Sequence, residues 1–434
     1  MSLRSMAILP VVGLLSAAAL VIIPQRAAFA QANTAAAAPQ QTQTGSAPER
    51  AVGLFAEPHF ISGAFDFLND KVGDKTKDPK SGFYPEVSNI LTGAGWVSLG
   101  PGYRHYFGDD RWFVEGSGAV SWRMYAMAQA RVEFPKLAHD RLAVGVQNMW
   151  QGATQVNFFG IGPDSSEDDR TQYQLQTYDV VGYANYKATD SFTISQEVGW
   201  LARPRFTPPG GTFKRDLPFT REVFPTAPGP NLSVQPALLH TESALTADTR
   251  DHRGHPTSGF LYRAALTTYD DKDSGNFNVQ EYEAEGLQLI PLVGKNWILA
   301  LHGWTIHSNV SSGNAMPIYL MPAIGGGNTL RSFADFRFHD NNILVANVES
   351  RWAVWEHLDA ALFLDAGNVA ARYGDLNLNK TSVGAGLRLH TDTTTFARLD
   401  VAHGSEGWRV LFRTSEPLRL GRARKEVAII PFAP

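Results

Sequence analysis

The chain has no cysteine and few charged residues for its length. Without cysteine it can form neither a disulfide framework nor a thiolate metal site, and it has no cysteine nucleophile. Asp, Glu, Lys and Arg make up 18% of the 434 residues, below the ~25% usual for soluble domains. The net charge of -4 is too balanced for a strong electrostatic interaction with nucleic acid. With 44% hydrophobic residues, the composition excludes a disordered chain and leaves a partly lipid-facing surface as an option.

Only one long apolar run is present, and it lies at the N-terminus. Arg4 precedes an apolar stretch over 7–23, and Ala28-Phe29-Ala30 has the small-x-small pattern of a cleavage site. We therefore expect a signal peptide over 1–30, cleaved near Ala30. An uncleaved anchor is the alternative, although the run is short for a spanning helix. Because no later stretch approaches the ~20 apolar residues of a helical span, a membrane-spanning mature chain would have to form a closed barrel.

The remaining chain divides by its sequence pattern. Residues 31–55 are predicted to form a flexible leader, because most of them belong to a low-complexity stretch of Ala, Gln, Thr and Pro. Segment 56–88 does not alternate cleanly and is either a first strand with a loop or a plug in the barrel lumen. Residues 89–420 are predicted to form the barrel. The tail, 421–434, begins with basic residues that either contact anionic headgroups or are solvated.

Strands with a period of two fill the predicted barrel region. In 381–390, for example, Val383 and Leu387 alternate with Ser382 and Arg388. Many strands are longer than the ~5–6 residues usual in globular sheets. Short turns are expected at 136–140, 187–190, 292–296 and 391–394, and long loops at 205–235 and 309–342, as at the two rims of outer-membrane barrels. These features predict an all-β fold, a transmembrane antiparallel β-barrel rather than a soluble sandwich.

Three motifs share a family resemblance. The first is a glycine-rich stretch followed by Arg331-Ser332-Phe333, the second is Phe363-Leu-Asp365-Ala-Gly367, and the third is a turn between two strands. Together they resemble the BamA/TamA superfamily of outer-membrane barrels, which implies about sixteen strands and a loop folded into the lumen. The residues that carry the resemblance include the signature glycines Gly325, Gly326, Gly327 and Gly367, and the turn residues Asp248, Arg250, Asp251, Pro256 and Gly259.

The resemblance also implies a contact between the inward loop and the barrel wall. Arg331 is expected to pair with Asp365, with Glu349 as a second partner and Phe333 in the same motif. A guanidinium can bind a carboxylate through two hydrogen bonds, which fixes geometry in a partly dehydrated lumen. Ser332 replaces the glycine typical of the family, which predicts a different local turn.

The turn motif has a local interpretation. Pro256 and Gly259 supply turn geometry, while Asp248 and Asp251 can accept hydrogen bonds from the backbone around Arg250. We therefore expect a structural role for these residues.

The function implied by the resemblance is assistance to the insertion or translocation of polypeptide, or lipid, across the outer membrane of a Gram-negative bacterium. Outer-membrane lipid and either a periplasmic protein or an unfolded client polypeptide are the expected partners; nucleic acid is not. No POTRA domain, the periplasmic repeat of such relatives, fits between the leader and the first confident strand. The alternative function is a passive pore for small solutes, lined by the inward-facing residues Glu349, Arg351, Arg388, Arg398 and Asp400.

No catalytic or metal-binding motif is evident. The sequence has no hydrolase, zinc-protease or nucleotide-binding signature. His390, His403 and Ser405 are the residues to consider for a barrel hydrolase, but a barrel histidine is more often structural. The acidic loop Asp164, Glu167, Asp168 and Asp169 does not have the spacing of an EF-hand. We therefore expect no enzymatic activity, cofactor or metal.

Overall fold

A computed structural model of the protein describes residues 53–55, 57–58, 81–88, 97–225, 235–391 and 393–413. The predicted signal peptide, nearly all of the leader and the tail 421–434 lie outside these residues. So do 59–80 of the uncertain segment and 226–234 of a long loop. In the described part, no helix is both long and apolar enough to cross a membrane; α1 (Thr220–Val223) has four residues.

Sixteen strands form one antiparallel sheet, and two short strands form a separate sheet within a loop. Each strand of the large sheet pairs with the next large-sheet strand along the chain. The elements are β1 (Gly82–Ser88), β2 (Ser98–Phe107), β3 (Trp112–Ser121), β4 (Ala126–Leu137), β5 (Leu142–Phe158), β6 (Thr171–Thr189), β7 (Phe192–Thr207), β8 (Leu238–Asp248), β9 (Gly259–Asp271), β10 (Val279–Val293), β11 (Trp297–Val310), β12 (Ala323–Ile324), β13 (Phe338–His339), β14 (Asn342–Trp355), β15 (Leu358–Ala370), β16 (Lys380–His390), β17 (Thr395–Gly404) and β18 (Gly407–Arg413).

The two faces of this sheet differ in polarity: apolar side chains are exposed on one face and charged side chains are buried on the other. On β15, Leu362 and Leu364 are 54% and 50% exposed, whereas Phe363 and Asp365 between and beside them are buried. Apolar side chains therefore face outward and charged side chains face inward, the pattern that a lipid-facing wall requires. The predicted fold class is confirmed: the chain is an all-β transmembrane barrel, with sixteen wall strands among the described residues.

The two rims differ in the length of their connections. The predicted short turns fall between β4 and β5, β6 and β7, β10 and β11, and β16 and β17, all at one rim. The turn between β8 and β9, residues 249–258, lies at this rim too. We call it the short-turn rim; in outer-membrane barrels it faces the periplasm. The long-loop rim carries 159–170, 208–237 and 311–341.

The wall is tall on one side and low on the other. Strands β5, β6 and β7 have 17, 19 and 16 residues, whereas β1 and β18 have 7 each. The tall strands carry a buried apolar cluster that includes Phe158, Tyr173 and Leu201, and this cluster packs against Met316–Met321 of loop 311–341. The tall wall therefore supports the first half of the longest described loop.

Candidate functional site

Loop 311–341 folds into the lumen and carries its own small core. Strands β12 and β13 pair through Ala323 with His339 and Ile324 with Phe338. The side chains of Leu330, Phe333 and Phe338 pack with Ile324 against Trp304, Ile343, Val345 and Val369 of the wall. Phe333 is fully buried and meets the ring of Phe338 edge-on, at 5.3 Å between centroids. The second half of the loop is therefore held against β11, β14 and β15.

Glycines shape the contact between loop and wall. Gly325 and Gly326 have φ of +120° and +91°, conformations that an L side chain rarely adopts. A Cβ at Gly325 would also lie 2.3 Å from the carbonyl oxygen of Ala334. On β15, a Cβ at Gly367 would lie 2.7 Å from the carbonyl oxygen of Leu344 and 3.5 Å from Leu330 of the loop. These signature glycines permit the tight turn and the close approach of the loop to β15.

Arg331 projects from this turn onto Asp365 of β15. Its Nε donates to Asp365 Oδ2 at 3.0 Å and its Nη2 donates to Oδ1 at 2.7 Å, so that the two groups pair through two nitrogens. The backbone N–H of Arg331 also donates to Asp365, at 3.1 Å, and Nη1 donates to Glu349 of β14. The guanidinium carbon lies 3.4 Å from the ring centroid of Phe363. We call this set of contacts the Arg331 anchor.

The electrostatics of the anchor favour a charged arginine despite its burial. Arg331 is 1% exposed, and desolvation alone would lower its pKa. Asp365 and Glu349 outweigh that effect and raise the pKa of Arg331 above its ordinary value. The side chain is therefore a permanent cation at this site.

Neighbouring strands extend the anchor into a buried ionic network. Glu349 accepts from Arg351 at 2.9 Å and from Arg388 of β16 at 3.0 Å. Arg388 also pairs with Asp400 of β17, at 2.6 Å. Arg388 and Arg398 lie directly opposite each other on β16 and β17, and Asp400 contacts both, which offsets the repulsion between like charges. Arg398 in turn donates to the carbonyl oxygen of Gly327 at 2.7 Å, so the network returns to the loop.

Ser332 makes a contact that the sequence did not predict. Its backbone N–H donates to Ser382 Oγ of β16 at 3.0 Å, and the two hydroxyl oxygens are 2.6 Å apart. A Cβ at Gly404 would lie 2.2 Å from Ser332 Oγ. Gly404 on β17 therefore leaves room for the hydroxyl of Ser332.

Arg337 fastens the same loop at the long-loop rim. It donates from Nε to Glu406 Oε1 at 2.6 Å and from Nη1 to Ser165 Oγ at 2.9 Å. Its guanidinium also lies over the rings of Phe159 and Phe338, at 4.9 and 4.4 Å. The residues around the acidic loop 164–169 thus take part in holding loop 311–341.

The turn motif lies apart from the anchor, at the opposite rim. Asp251 accepts from the backbone N–H groups of His252 and Thr257, each at 2.9 Å. Arg250 Nε donates to Asp248 Oδ1 at 2.9 Å. Gly259 has φ of +95°, and a Cβ there would lie 2.3 Å from the carbonyl oxygen of Thr249. Pro256 lies within the same turn, so these residues shape the connection between β8 and β9.

An outer-membrane barrel with a loop anchored in its lumen is the class that this geometry defines. The Omp85 superfamily domain matches residues 135–404. The chain therefore belongs to the Omp85 superfamily, and the family resemblance expected from the motifs is confirmed.

The chain is similar to solved structures, two of which are a BamA and a CdiB. One is BamA from Haemophilus ducreyi lacking POTRA domains 1–3, at 14% identity and a TM-score of 0.56, covering 81% of this chain and 78% of that one. The other is CdiB from Escherichia coli, at 12% identity and a TM-score of 0.48, covering 76% of this chain and 61% of that one. No curated protein matches the sequence. The likeness to BamA supports the barrel fold described above.

Proposed function

We propose that this Omp85-superfamily barrel assists the insertion or translocation of polypeptide at the outer membrane. The Arg331 anchor is the observation that carries the proposal. It ties the inward loop to β14 and β15 through charge-assisted hydrogen bonds that are shielded from water. A loop fixed in this way stabilises the barrel from inside, so that the wall depends less on strong pairing at the ends of the sheet.

The end strands are suited to transient pairing with a client strand. In the strand order of the described residues, the sheet begins at β1 and ends at β18. The structure describes seven residues of each of these strands, and each borders residues outside the described part of the chain. A client strand that adds to such an edge gains backbone hydrogen bonds without needing a particular sequence. We propose the seam between β1 and β18 as the place where a client engages.

The same network argues against the passive pore. The residues that would line the pore are each at most 1% exposed, and they pair with one another or with the loop; they are Glu349, Arg351, Arg388, Arg398 and Asp400. A path for hydrated solutes needs polar groups that face water. Their mutual pairing favours a structural role over conduction.

The partners and location follow from the proposal. We propose that the outward apolar face binds outer-membrane lipid, that the client is an unfolded polypeptide, and that a periplasmic protein delivers it. The proposed role is non-enzymatic. The location would be the outer membrane of a Gram-negative bacterium, reached after removal of a signal peptide near Ala30.

Site-specific photocrosslinking in cells tests this function. A photoreactive amino acid is placed at Phe83 of β1 or Trp408 of β18, which are 85% and 74% exposed. Leu245 of β8, an outward position 49% exposed, is the matched control. During synthesis of an outer-membrane client, we expect crosslinks to the client at Phe83 and Trp408 and not at Leu245. Equal yields at all three positions, or steady single-channel conductance of the purified barrel, would contradict the proposal.

A further inference from the structure

Two histidines and an aspartate meet at the short-turn rim. His255 lies on the turn between β8 and β9, Asp359 follows the first residue of β15, and His390 ends β16. All three are at least 96% buried. Their ligand atoms lie within 4.8 Å of one another. Because His255 is more than one hundred positions from Asp359, no linear motif marks this cluster.

Both imidazoles direct Nε2 at the same carboxylate. His390 Nε2 lies 3.2 Å from Asp359 Oδ1, and His255 Nε2 lies 3.5 Å from Oδ2. These separations are close to the edge of a tetrahedron built on zinc bonds of about 2.1 Å, which is about 3.4 Å. The rings are stacked, with centroids 3.6 Å apart and planes 8° apart. Coordination therefore requires one ring to rotate, and His255 is placed for this because it lies on a turn.

The hydrogen bond at the far side of His390 makes the cluster a cation site. His390 Nδ1 lies 3.0 Å from the carbonyl oxygen of Thr391, which can only accept, so Nδ1 carries a proton. In a neutral imidazole, Nε2 then presents its lone pair to the oxygen of Asp359. Two acceptors facing each other at 3.2 Å repel unless a positive charge lies between them. The charge is either a proton on Nε2 or a metal ion.

The second histidine has a hydroxyl rather than a carbonyl at Nδ1, and a hydroxyl can either donate or accept. His255 Nδ1 lies 3.2 Å from Thr395 Oγ1, while its Nε2 faces the carboxylate. A histidine that binds metal through one ring nitrogen is commonly oriented by a hydrogen bond at the other. Thr391 and Thr395 therefore supply such hydrogen bonds at Nδ1 of His390 and His255, and coordination of one ion by both Nε2 atoms still requires the His255 ring to rotate.

The cluster lies where the β8–β9 turn reaches other strands. Gly254 forms a parallel bridge with Thr394, and the Thr395 N–H donates to the Gly254 carbonyl oxygen at 3.0 Å. In the sheet, β10, β11 and β14 lie between β9 and β15. With β15, four strands of the sheet therefore separate β9 from β16, whose turn to β17 the β8–β9 turn contacts. An ion bound to His255 would fasten this crossing to the wall.

We propose that His255, Asp359 and His390 bind a divalent transition-metal ion such as Zn²⁺. Two imidazoles and one carboxylate are ligands that zinc takes when water completes the tetrahedron. The ion supplies the positive charge between Nε2 and the carboxylate, and it pins the turn 249–258 to β15 and β16. The ligands of this site are distinct from the residues of the Arg331 anchor, and the proposal does not rest on the proposed function.

Zinc binding by the full-length barrel tests the proposal. The protein is purified in detergent with a histidine-free tag, stripped with a chelator and titrated with Zn²⁺ by calorimetry, with Mg²⁺ as the hard-cation control. We expect one Zn²⁺ per chain and no comparable Mg²⁺ binding. Loss of a group that only hydrogen-bonds to a metal ligand weakens metal binding about 10–100-fold. Loss of a ligand itself, in His255→Gln or His390→Gln, should therefore weaken Zn²⁺ binding by at least about tenfold. His403→Gln, on the exposed face of β17, is the control and should bind as the wild type does.

Trypsin provides a second measurement that does not depend on variants. Arg253, whose side chain is 70% exposed, precedes Gly254 in the crossing. Zn²⁺ should slow cleavage after Arg253 in the wild type, and it should not do so in His255→Gln. Wild-type protein that binds no Zn²⁺ saturably, or that binds it as well without His255 and His390, would overturn the proposal and assign the charge to a proton on His390.

Discussion

Two of the charged clusters on the barrel wall differ in what covers them. In the Arg331 anchor, an acidic residue is shared among arginines beneath loop 311–341, and Arg331 and Glu349 have side chains at most 2% exposed. On β2, β3 and β4, Glu115 likewise lies between Arg104 and Arg131, at 2.7 Å from Arg104 Nη2 and 3.0 Å from Arg131 Nε. There the side chain of Arg104 is 30% exposed and that of Arg131 is 14% exposed.

The comparison shows that the same ion-pair chemistry has different consequences at different burial. A partly exposed pair exchanges water for a partner of similar strength, so its net contribution is about 0–1 kcal/mol. In a buried pair, removing one partner leaves a charge that water cannot reach, and the loss is about 3–5 kcal/mol. Because the loop excludes water from the anchor, we expect the anchor to be the cluster whose stability depends more strongly on each partner.

Replacing the anchor arginine should have the largest effect. Arg331→Met preserves much of the side-chain volume but leaves Asp365 without its two-nitrogen partner. We expect the free energy of unfolding to fall by about 3–5 kcal/mol, measured by urea titration in lipid vesicles with tryptophan fluorescence. Arg372→Met, which breaks an ion pair whose arginine is 83% exposed, is the control and should leave the free energy of unfolding nearly unchanged. A loss below about 1 kcal/mol at Arg331 would remove the distinction between the two clusters.

A double-mutant cycle should show that Arg331 and Asp365 act as a unit. Arg331→Ala and Asp365→Ala are each expected to destabilise the barrel, and the double variant should be little worse than either, with a coupling energy of up to about 3 kcal/mol. The measurement is the same urea titration. As the control cycle, Arg331→Ala is combined with Arg203→Ala at a distant exposed pair, where the effects should add within about 0.5 kcal/mol. Additive losses for Arg331 and Asp365 would contradict the anchor.

Protonation of His339 should destabilise loop 311–341, which lies over the Arg331 anchor. His339, on β13, packs against Phe158 at 5.1 Å between ring centroids, and burial lowers its pKa to about 3. Because this pKa is below the unfolded value of about 6.5, the unfolded loop takes up the proton first as the pH falls. The contribution of neutral His339 to the stability of the folded loop is therefore complete above about pH 6.5. It is lost between about pH 6.5 and 3, at up to about 1.4 kcal/mol per pH unit.

Hydrogen exchange can measure this loss. We expect backbone amides of 325–341 to exchange faster at pH 5.5 than at pH 6.5, after correction for the intrinsic rate. His339→Phe retains an aromatic ring and should remove the pH dependence, whereas His105→Phe, at a partly exposed position on β2, should retain it. The same pH dependence in His339→Phe and wild type would show that another group is responsible.

The wall could be predicted from the sequence because its signal is local. Alternation in 381–390 placed Val383 and Leu387 outward, and they are 57% and 44% exposed in β16. The short turns were visible because polar residues interrupt the alternation at regular intervals. Strand period and turn spacing depend only on neighbouring residues, so they need no knowledge of the fold.

The contacts inside the barrel could not be predicted in the same way. The alternation of β15 points Asp365 inward, but an inward loop that brings Arg331 to it was expected from the family resemblance. The sharing of Glu349 by three arginines had no signal in the sequence. The meeting of His255 with Asp359 and His390 depends on a turn that contacts strands not adjacent to its own in the sheet. Such contacts are set by how the sheet curves and where loops cross, which alternation does not record.

The smallest effect is expected in the partly exposed cluster of Glu115, Arg104 and Arg131, and it tests the same comparison. Arg104→Met leaves Glu115 paired with Arg131, and water can reach the position of the lost guanidinium. We expect a loss of less than about 1 kcal/mol by urea titration. In about 1 M NaCl, where the screening length is about 3 Å, this loss should disappear, whereas that of Arg331→Met should persist because salt does not reach the anchor. A loss of about 3 kcal/mol at Arg104 would mean that exposure to the lumen does not set the strength of these ion pairs.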